Sequence, residues 1–252
     1  MKTTGMKKIL AFSILSLILI GFIGFVEKQT WEKLYLGRQI SIEGESGLYF
    51  VEQEEIEEMI SAGFSDLNPG LPLSEVPLND IENRLLGHPF VREAEAFIGQ
   101  KGMLQVKLKQ HKPIARIARP GAADGYITSE GKIIPMSNSY TSRVLIVEGD
   151  FAEKLMNQGE IMTEMPELLE LIYFITEDEF WSAQITEIII NSPSDIQLYQ
   201  QVGQQVIELG DARDLEDKFE KIEVFYKEIL PRKGWNAYHR VSVKFKNQIV
   251  CE

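Results

Sequence analysis

Residues His88 to Ile117 read HPFVREAEAFIGQKGMLQVKLKQHKPIARI. Val91, Ala94, Ala96 and Ile98 alternate with charged or bulky neighbours, with one irregularity after Val91. A glycine-bearing turn follows at Gly99–Gly102, and then Leu104, Val106 and Leu108 alternate with Gln105, Lys107 and Lys109. Period-two alternation on both sides of a short turn predicts a β-hairpin with one buried face. Just ahead, Pro77–Leu86 places Leu78, Ile81, Leu85 and Leu86 at helical spacing, with Gly87 and Pro89 able to stop the helix.

Working back towards the N-terminus, Gln39–Val51 has strand character around Ile40, Ile42 and Leu48–Val51. Glu52–Ala62 carries Ile56, Met59 and Ile60 on one helical stripe. Acids crowd its first turn, where the helix dipole favours them, and Gly63 is placed as its cap. Ser65–Pro77 holds three prolines and no period, and is expected to be a loop. The order is β-α-α-β-β, a two-helix layer on a three-stranded sheet.

Ile9–Val26 is an uncharged run of 18 residues. As a helix it reaches about 27 Å, close to the roughly 30 Å of a bilayer's hydrocarbon core. Ile9, Leu10, Leu15, Leu17, Ile18, Leu19, Ile20, Phe22, Ile23, Phe25 and Val26 are its expected lipid-facing anchors. Lys2, Lys7 and Lys8 precede it without an acid, which predicts a cytoplasmic tail at residues 1–8. The run ends Gly24-Phe25-Val26-Glu27-Lys28 with no Ala-x-Ala pattern, so a retained anchor is favoured over a cleaved leader. Residues 27–38 form the expected juxtamembrane linker, with Trp31 and Tyr35 placed at the membrane interface.

The remainder exceeds the roughly 100–150 residues of one typical domain, which predicts two. A net charge of −12 disfavours nucleic acid as a partner. The one cysteine, Cys251, allows no internal disulfide and no cysteine-pair metal site.

After Ala118 the pattern changes. Asp124–Ile134 reads as two short strands about Glu130-Gly131, and Arg143–Val147 as another strand. Glu164–Trp181 is expected to be one amphipathic helix with Leu168, Leu169, Ile172, Ile175 and Phe180 inward. Ile185–Ile190, Ile196–Tyr199 and Gln205–Leu209 follow as strands. Leu215–Leu230 is a second helix, with Asp214 as its cap and Pro231 closing it. A last strand is expected from Tyr238 to about Val250. The fold class expected is α+β: an N-terminal transmembrane helix, a β-α-α-β-β domain, and a mixed β-sheet domain flanked by two helices.

Taken in order, the helix, the His88-Pro89-Phe90-Val91 step and the hairpin ending Lys112-Pro113-Ile114-Ala115 resemble the end of a POTRA domain. YITSEGKIIP (126–135), LYQQVGQQVIELGD (198–211), LEDKFEKIEVFYKEIL (215–230) and HRVSVKFKNQIVC (239–251) are similar, in order and spacing, to the β-domain of the bacterial cell-division family FtsQ/DivIB. Lys218 and Lys221 stand where that family has a recurrent lysine. Val241-Ser242-Val243-Lys244-Phe245 stands where the family often has hydrophobic-Asp-hydrophobic-Arg-Tyr, so the acid, arginine and tyrosine are replaced.

The resemblance implies a POTRA domain at 39–117 and an FtsQ-type β-domain at 118–252. It also implies a bitopic inner-membrane protein of the division septum, with the bulk of the chain in the periplasm. Its role would be a scaffold without catalysis or cofactor that binds FtsB (DivIC)-like and FtsL-like coiled-coil proteins and, beyond them, septal wall synthases. In the family the partner adds a strand at the last strand of the β-domain, a mode carried by backbone groups. Tyr238, Arg240, Val241, Ser242, Val243, Lys244, Phe245 and Lys246 are the partner-binding residues so implied. A POTRA-bearing assembly or secretion factor is the rival, but the helices at Glu164 and Leu215 speak against the barrel it needs.

Catalytic readings find little support. His88, His111 and His239 lie at no metal-ligand spacing, and Glu52–Glu58 lacks the alternation of a calcium loop. Glu177, Asp178 and Glu179 are sequence neighbours, which do not face one another on a helix. No P-loop, Gly-x-Ser-x-Gly or Gly-x-Gly-x-x-Gly occurs. A periplasmic hydrolase using Asp178 or His239 is the enzyme rival, and it predicts titratable side chains converging in a pocket.

Overall fold

A computed structural model describes residues 14–21, 34–43, 50–159 and 161–252. Two compact units result: Val51–Gln110 with the strand before them, and His111–Glu252 with Phe50. The division falls between Gln110 and His111, not between Ile117 and Ala118. The reason is pairing: Pro113–Ile117 (β4) hydrogen-bonds to Gly125–Thr128 (β5) and Leu145–Glu148 (β7), strands of the second unit.

In the first unit, Gly37–Glu43 (β1), Val91–Ile98 (β2) and Met103–Gln110 (β3) form a sheet in the order β1-β3-β2. β2 and β3 are the expected hairpin, and the irregularity is a register shift between Val91 and Glu93. β1 lies parallel to β3, as a helical connection requires. Gln53–Gly63 (α1) and Leu78–Leu86 (α2) bury Ile56, Ile60, Ile81 and Leu85 with Leu104, Val106 and Leu108 of β3. The other face carries Lys109 paired with Glu93 at 2.6 Å. At Gly102, with φ of +74°, a Cβ would lie 2.3 Å from the Leu34 carbonyl oxygen, so only glycine fits the turn.

Several expectations for this unit are corrected. Strand β1 begins at Gly37, inside the expected linker, and Leu34 bridges to Pro72. Tyr35 is not at a membrane interface. It is 2% exposed and held by hydrogen bonds with Leu71 and Gly70. Phe50 and Val51 are buried but not in a strand, and Leu48 lies outside the described residues. Gly63 is the last residue of α1, and Phe64 caps it. Ser65–Pro77 contains a helical turn at Leu73–Glu75 and buries Leu67 and Val76.

The second unit is built on a nine-stranded sheet in the order β12-β11-β10-β9-β8-β7-β4-β5-β6. The further strands are Ile133–Pro135 (β6), Ile185–Ser192 (β8), Asp195–Gln200 (β9), Val206–Gly210 (β10), Arg240–Ser242 (β11) and Val250–Cys251 (β12). Instead of two helices, the described residues form Asp150–Gln158 (α3), Ile161–Glu164 (α4), Pro166–Glu177 (α5), Glu179–Gln184 (α6) and Leu215–Val224 (α7), the last with a helical continuation. Their apolar stripes share one core with Val147, Ile188, Ile190, Leu198, Ile207 and Val241. Helix α3 was not expected; Gly149 and Gly159, both with positive φ, bracket it.

The expected single helix at 164–181 is interrupted at Asp178, which is extended and accepts bonds from Phe180 N and Trp181 N, both at 2.9 Å. The cap resets the helical phase, so Trp181 is buried at 8% while Phe180 is 52% exposed. Asp214 adopts a left-handed φ of 52° and makes no side-chain cap bond to α7. Beyond Val224 the helix widens to a π-turn, with Leu230 N–H bonding Phe225 O, and continues to Lys233. An α-turn would set the Pro231 ring against the Lys227 carbonyl; the wider turn ahead of it relieves that clash.

The residues 14–21 are helical, and Leu15, Leu17, Ile18, Leu19 and Ile20 are all more than half exposed. Among the described residues no helix is long and apolar enough to cross a membrane. Residues 1–8, Trp31, and the anchors Ile9, Leu10, Phe22, Ile23, Phe25 and Val26 lie outside the described residues.

Candidate partner-binding edge

The expected strand from Tyr238 to Val250 is a hairpin instead. β11 covers Arg240–Ser242, the chain turns at Phe245–Asn247, and β12 returns antiparallel on β11. Asn247 has φ of 59°, which Asn tolerates better than most residues, so the turn falls where the alternation of valine and lysine stops. β11 therefore has a neighbour on each side: β10, parallel, and β12. The sheet edge on this side is β12, two residues long.

The pairing is specific. Arg240 N donates to Glu252 O at 3.1 Å, Glu252 N to Arg240 O at 2.9 Å, and His239 N to Glu252 O at 2.7 Å. Ser242 stands opposite Val250 and Val241 opposite Cys251. Arg240 with Glu252 is a hydrogen-bonded pair, so Cys251 turns its own N–H and C=O outward.

Along the expected binding stretch, alternate residues have different duties. Val241 and Val243 are 0% exposed and belong to the core. Tyr238 is half-buried, its ring 6.3 Å from that of Phe225. Arg240 and Lys244 both meet Glu208 of β10, Lys244 at 3.1 Å. Glu208 is 8% exposed, so two cations compensate one largely desolvated carboxylate. Ser242 is also 8% exposed, and its Oγ has no hydrogen-bond partner among the described residues. Phe245 and Lys246, on the turn, are exposed. Of the eight residues, these two are exposed and, among the described residues, have no side-chain contact that ties them to the hairpin's support.

Helix α7 supplies the support. Lys221 Nζ donates to Val243 O at 3.0 Å and Phe245 O at 2.8 Å, and pairs with Asp217 at 3.0 Å. Lys218 points elsewhere, to Asp211 O at 2.7 Å and Oδ1 at 2.6 Å. Burial pushes the Asp211 carboxyl up, but the bonds from Lys218 and Arg213 outweigh it and lower it to about 2. Of the two lysines singled out from the sequence, Lys221 is the one that faces the hairpin. Sequence reasoning missed Glu208 and the return strand; the Lys246-Asn247 step between apolar runs was the available signal.

The other candidate groups stay apart. His88 pairs with Glu55 and His111 with Glu130, each at 3.1 Å. The described residues contain no cluster of three His, Cys, Asp or Glu able to hold a metal ion. Asp178 serves as a helix cap, and His239 lies exposed beside the hairpin. A half-open cavity of about 790 Å³ at the start of β4, β7 and β8 is lined by Arg116 and Tyr173 among others. Arg116 is bound to Asp124 at 2.7 Å, and Tyr173 Oη donates to Ser129 O.

Comparison with known proteins gives two matches. A family described as FtsQ/DivIB, C-terminal related, matches residues 112–252, and a POTRA-like domain matches residues 37–109. No curated protein matches the chain.

Proposed function

Because the chain belongs to the FtsQ/DivIB C-terminal related family, whose match spans more than half of it, and carries a POTRA-like domain, we propose that it is a non-catalytic scaffold of the bacterial divisome. In this reading Ile9–Val26 anchors it once in the cytoplasmic membrane, with residues 1–8 inside the cell. The two folded units lie in the periplasm at the septum. The exposed apolar side chains of Leu15 and Leu17–Ile20 favour the anchor. Confinement to the membrane plane raises the effective concentration of partners, so modest affinity suffices.

The scaffold recruits FtsB (DivIC)-like and FtsL-like coiled-coil proteins by backbone pairing at the C-terminal edge of the nine-stranded sheet, and through them septal wall synthases. The observation that carries this is the hairpin itself: a sheet edge of only two residues, beside the exposed Phe245 and Lys246 and the cations Arg240 and Lys244. An edge supplies unpaired backbone groups, and cations beside it steer an acidic partner.

The test uses the full chain in detergent micelles with purified coiled-coil division proteins of both types. Wild type should capture them. A Phe245→Asp/Lys246→Glu variant, altered only on the exposed turn, should bind more weakly with an unchanged circular dichroism spectrum. Failure of the wild type to capture either type overturns the reading.

A further inference from the structure

The edge described above is already occupied by the chain itself, and the occupant is poorly matched to it. β12 contributes two residues, with Val250 37% exposed and Cys251 half-buried. The turn leading to it, 244–248, is exposed throughout. β11 is held quite differently. Val241 and Val243 are core residues, Val243 N donates to Glu208 O at 3.0 Å, and Lys221 ties down the carbonyls of Val243 and Phe245. Local opening follows burial and bonding, so β12 can leave while β11 stays.

One atom records the mismatch. Ser242 Oγ is buried without a hydrogen-bond partner among the described residues, and the residue directly opposite it on β12 is Val250, which has no polar side-chain atom to offer. An unmet buried hydroxyl is costly, and an incoming group that satisfies it gains what the present occupant cannot.

We infer that β12 is a displaceable stand-in for a partner's strand, and that the outer edge of β11 accepts an extended segment in its place. That segment runs antiparallel to β11. It carries an apolar residue opposite Val241, where Cys251 now sits, and a Ser, Thr, Asn or Gln opposite Ser242. The pairing register is the one Arg240, Val241 and Ser242 now show to Glu252, Cys251 and Val250. This rests on the functional reading of the same edge and adds what controls access to it. Docking against the outer side of β12 is the poorer alternative, because Cys251 alone turns its backbone groups outward there.

Two independent measurements test it on the full-length protein in micelles. Hydrogen exchange reads the opening directly: the amides of Arg240 and Glu252 should exchange at least about tenfold faster than that of Leu198 in the middle of the sheet. Val250→Thr, which offers Ser242 a partner, should slow them. The second measurement uses Val241→Cys, placed opposite the natural Cys251. These are a non-hydrogen-bonded pair, close enough across the strands for a disulfide. Oxidised, this variant should bind the FtsB-type protein at least about tenfold more weakly than the same variant reduced. Equal exchange at Arg240, Glu252 and Leu198 overturns the inference, as does equal binding by the oxidised and reduced forms. Should the wild type bind no coiled-coil partner, the functional reading falls, and the exchange rates still decide whether β12 opens.

Discussion

Lys221 reaches from helix α7 to two carbonyl oxygens of the last hairpin, those of Val243 and Phe245, at 3.0 and 2.8 Å. Its neighbour one turn earlier, Lys218, is more deeply buried but serves Asp211 instead. Two lysines three residues apart thus hold two different loops, and their loss should be separable.

Lys221→Met keeps the aliphatic stem and removes the donors. Two carbonyls lose charge-assisted bonds, each worth about 1.5–3 kcal/mol at most and less where water can replace the ammonium. The hairpin should loosen without unfolding the sheet. Amide exchange at Val250 and Glu252 should quicken, while thermal unfolding shifts by only a few degrees, roughly as expected for a loss near 1 kcal/mol.

Asp211 should make folding sensitive to acid. Its carboxyl lies at about 2 in the folded chain, below its ordinary value, so the unfolded state binds the proton more readily. The resulting stability is present above about pH 4 and lost as pH falls towards 2. After discounting for the partial exposure of the pair, about 1–2 kcal/mol is at stake. Asp211→Asn should flatten the stability profile between those limits and leave it unchanged in slope near pH 7. Urea midpoints measured across pH 2–7 check this.

Much of the fold was legible because periodicity survives wherever one face is buried. The β2–β3 hairpin, α2, and strands β8 to β10 fall where alternation or helical stripes put them. What escaped depends on single residues that interrupt a pattern. Asp178 caps a new helix and so turns Trp181 inward in place of Phe180; a polar residue inside an amphipathic run does not reveal by itself whether it faces solvent or binds the backbone. Asn247 likewise breaks what reads as one strand into β11 and β12. The last segment was legible as extended chain, but pairing partners are non-local, and nothing in residues 238–250 announces that they pair with one another.

Asp178 offers a check on the enzyme rival as well. Asp178→Ala removes the acceptor for Phe180 N and Trp181 N, and loss of such a cap costs about 0.5–2 kcal/mol. Asp178→Asn keeps an acceptor oxygen and should recover most of that. A residue with a catalytic carboxylate would not be rescued by Asn in any hydrolytic assay, so stability and partner capture recovering together identify a cap.

Gly149 is the most demanding glycine of the second unit. Its φ is +107°, and a Cβ there would lie 2.5 Å from the Ile190 carbonyl oxygen and 2.9 Å from its nitrogen, both backbone atoms. Neither can move without disturbing β8. Gly149→Ala should destabilise by about 2–3 kcal/mol, combining a strained conformation with a steric clash. Gly159, also at positive φ but with no described residue's atom within 4 Å of the added carbon, should show only the conformational part, about 1 kcal/mol. Denaturant unfolding of both variants measures the difference, and equal losses would mean that the approach of Ile190 does not matter.

Cys251 reports on the edge without mutation. Burial pushes its thiol up from the ordinary value, so the thiolate needed for alkylation is scarce at neutral pH. In the folded chain, labelling by iodoacetamide should be slower than for a free thiol and should keep rising with pH beyond the point where a free thiol levels off. Because the side chain is half-buried and packs against the core beside Val241, its labelling should also quicken when β12 moves away. A coiled-coil partner that occupies the outer edge of β11 would hold β12 away and expose the thiol, so saturating partner should raise the rate. A partner that docks on the outside of β12 would instead lower it, and the sign of the change therefore distinguishes replacement of the strand from addition to it.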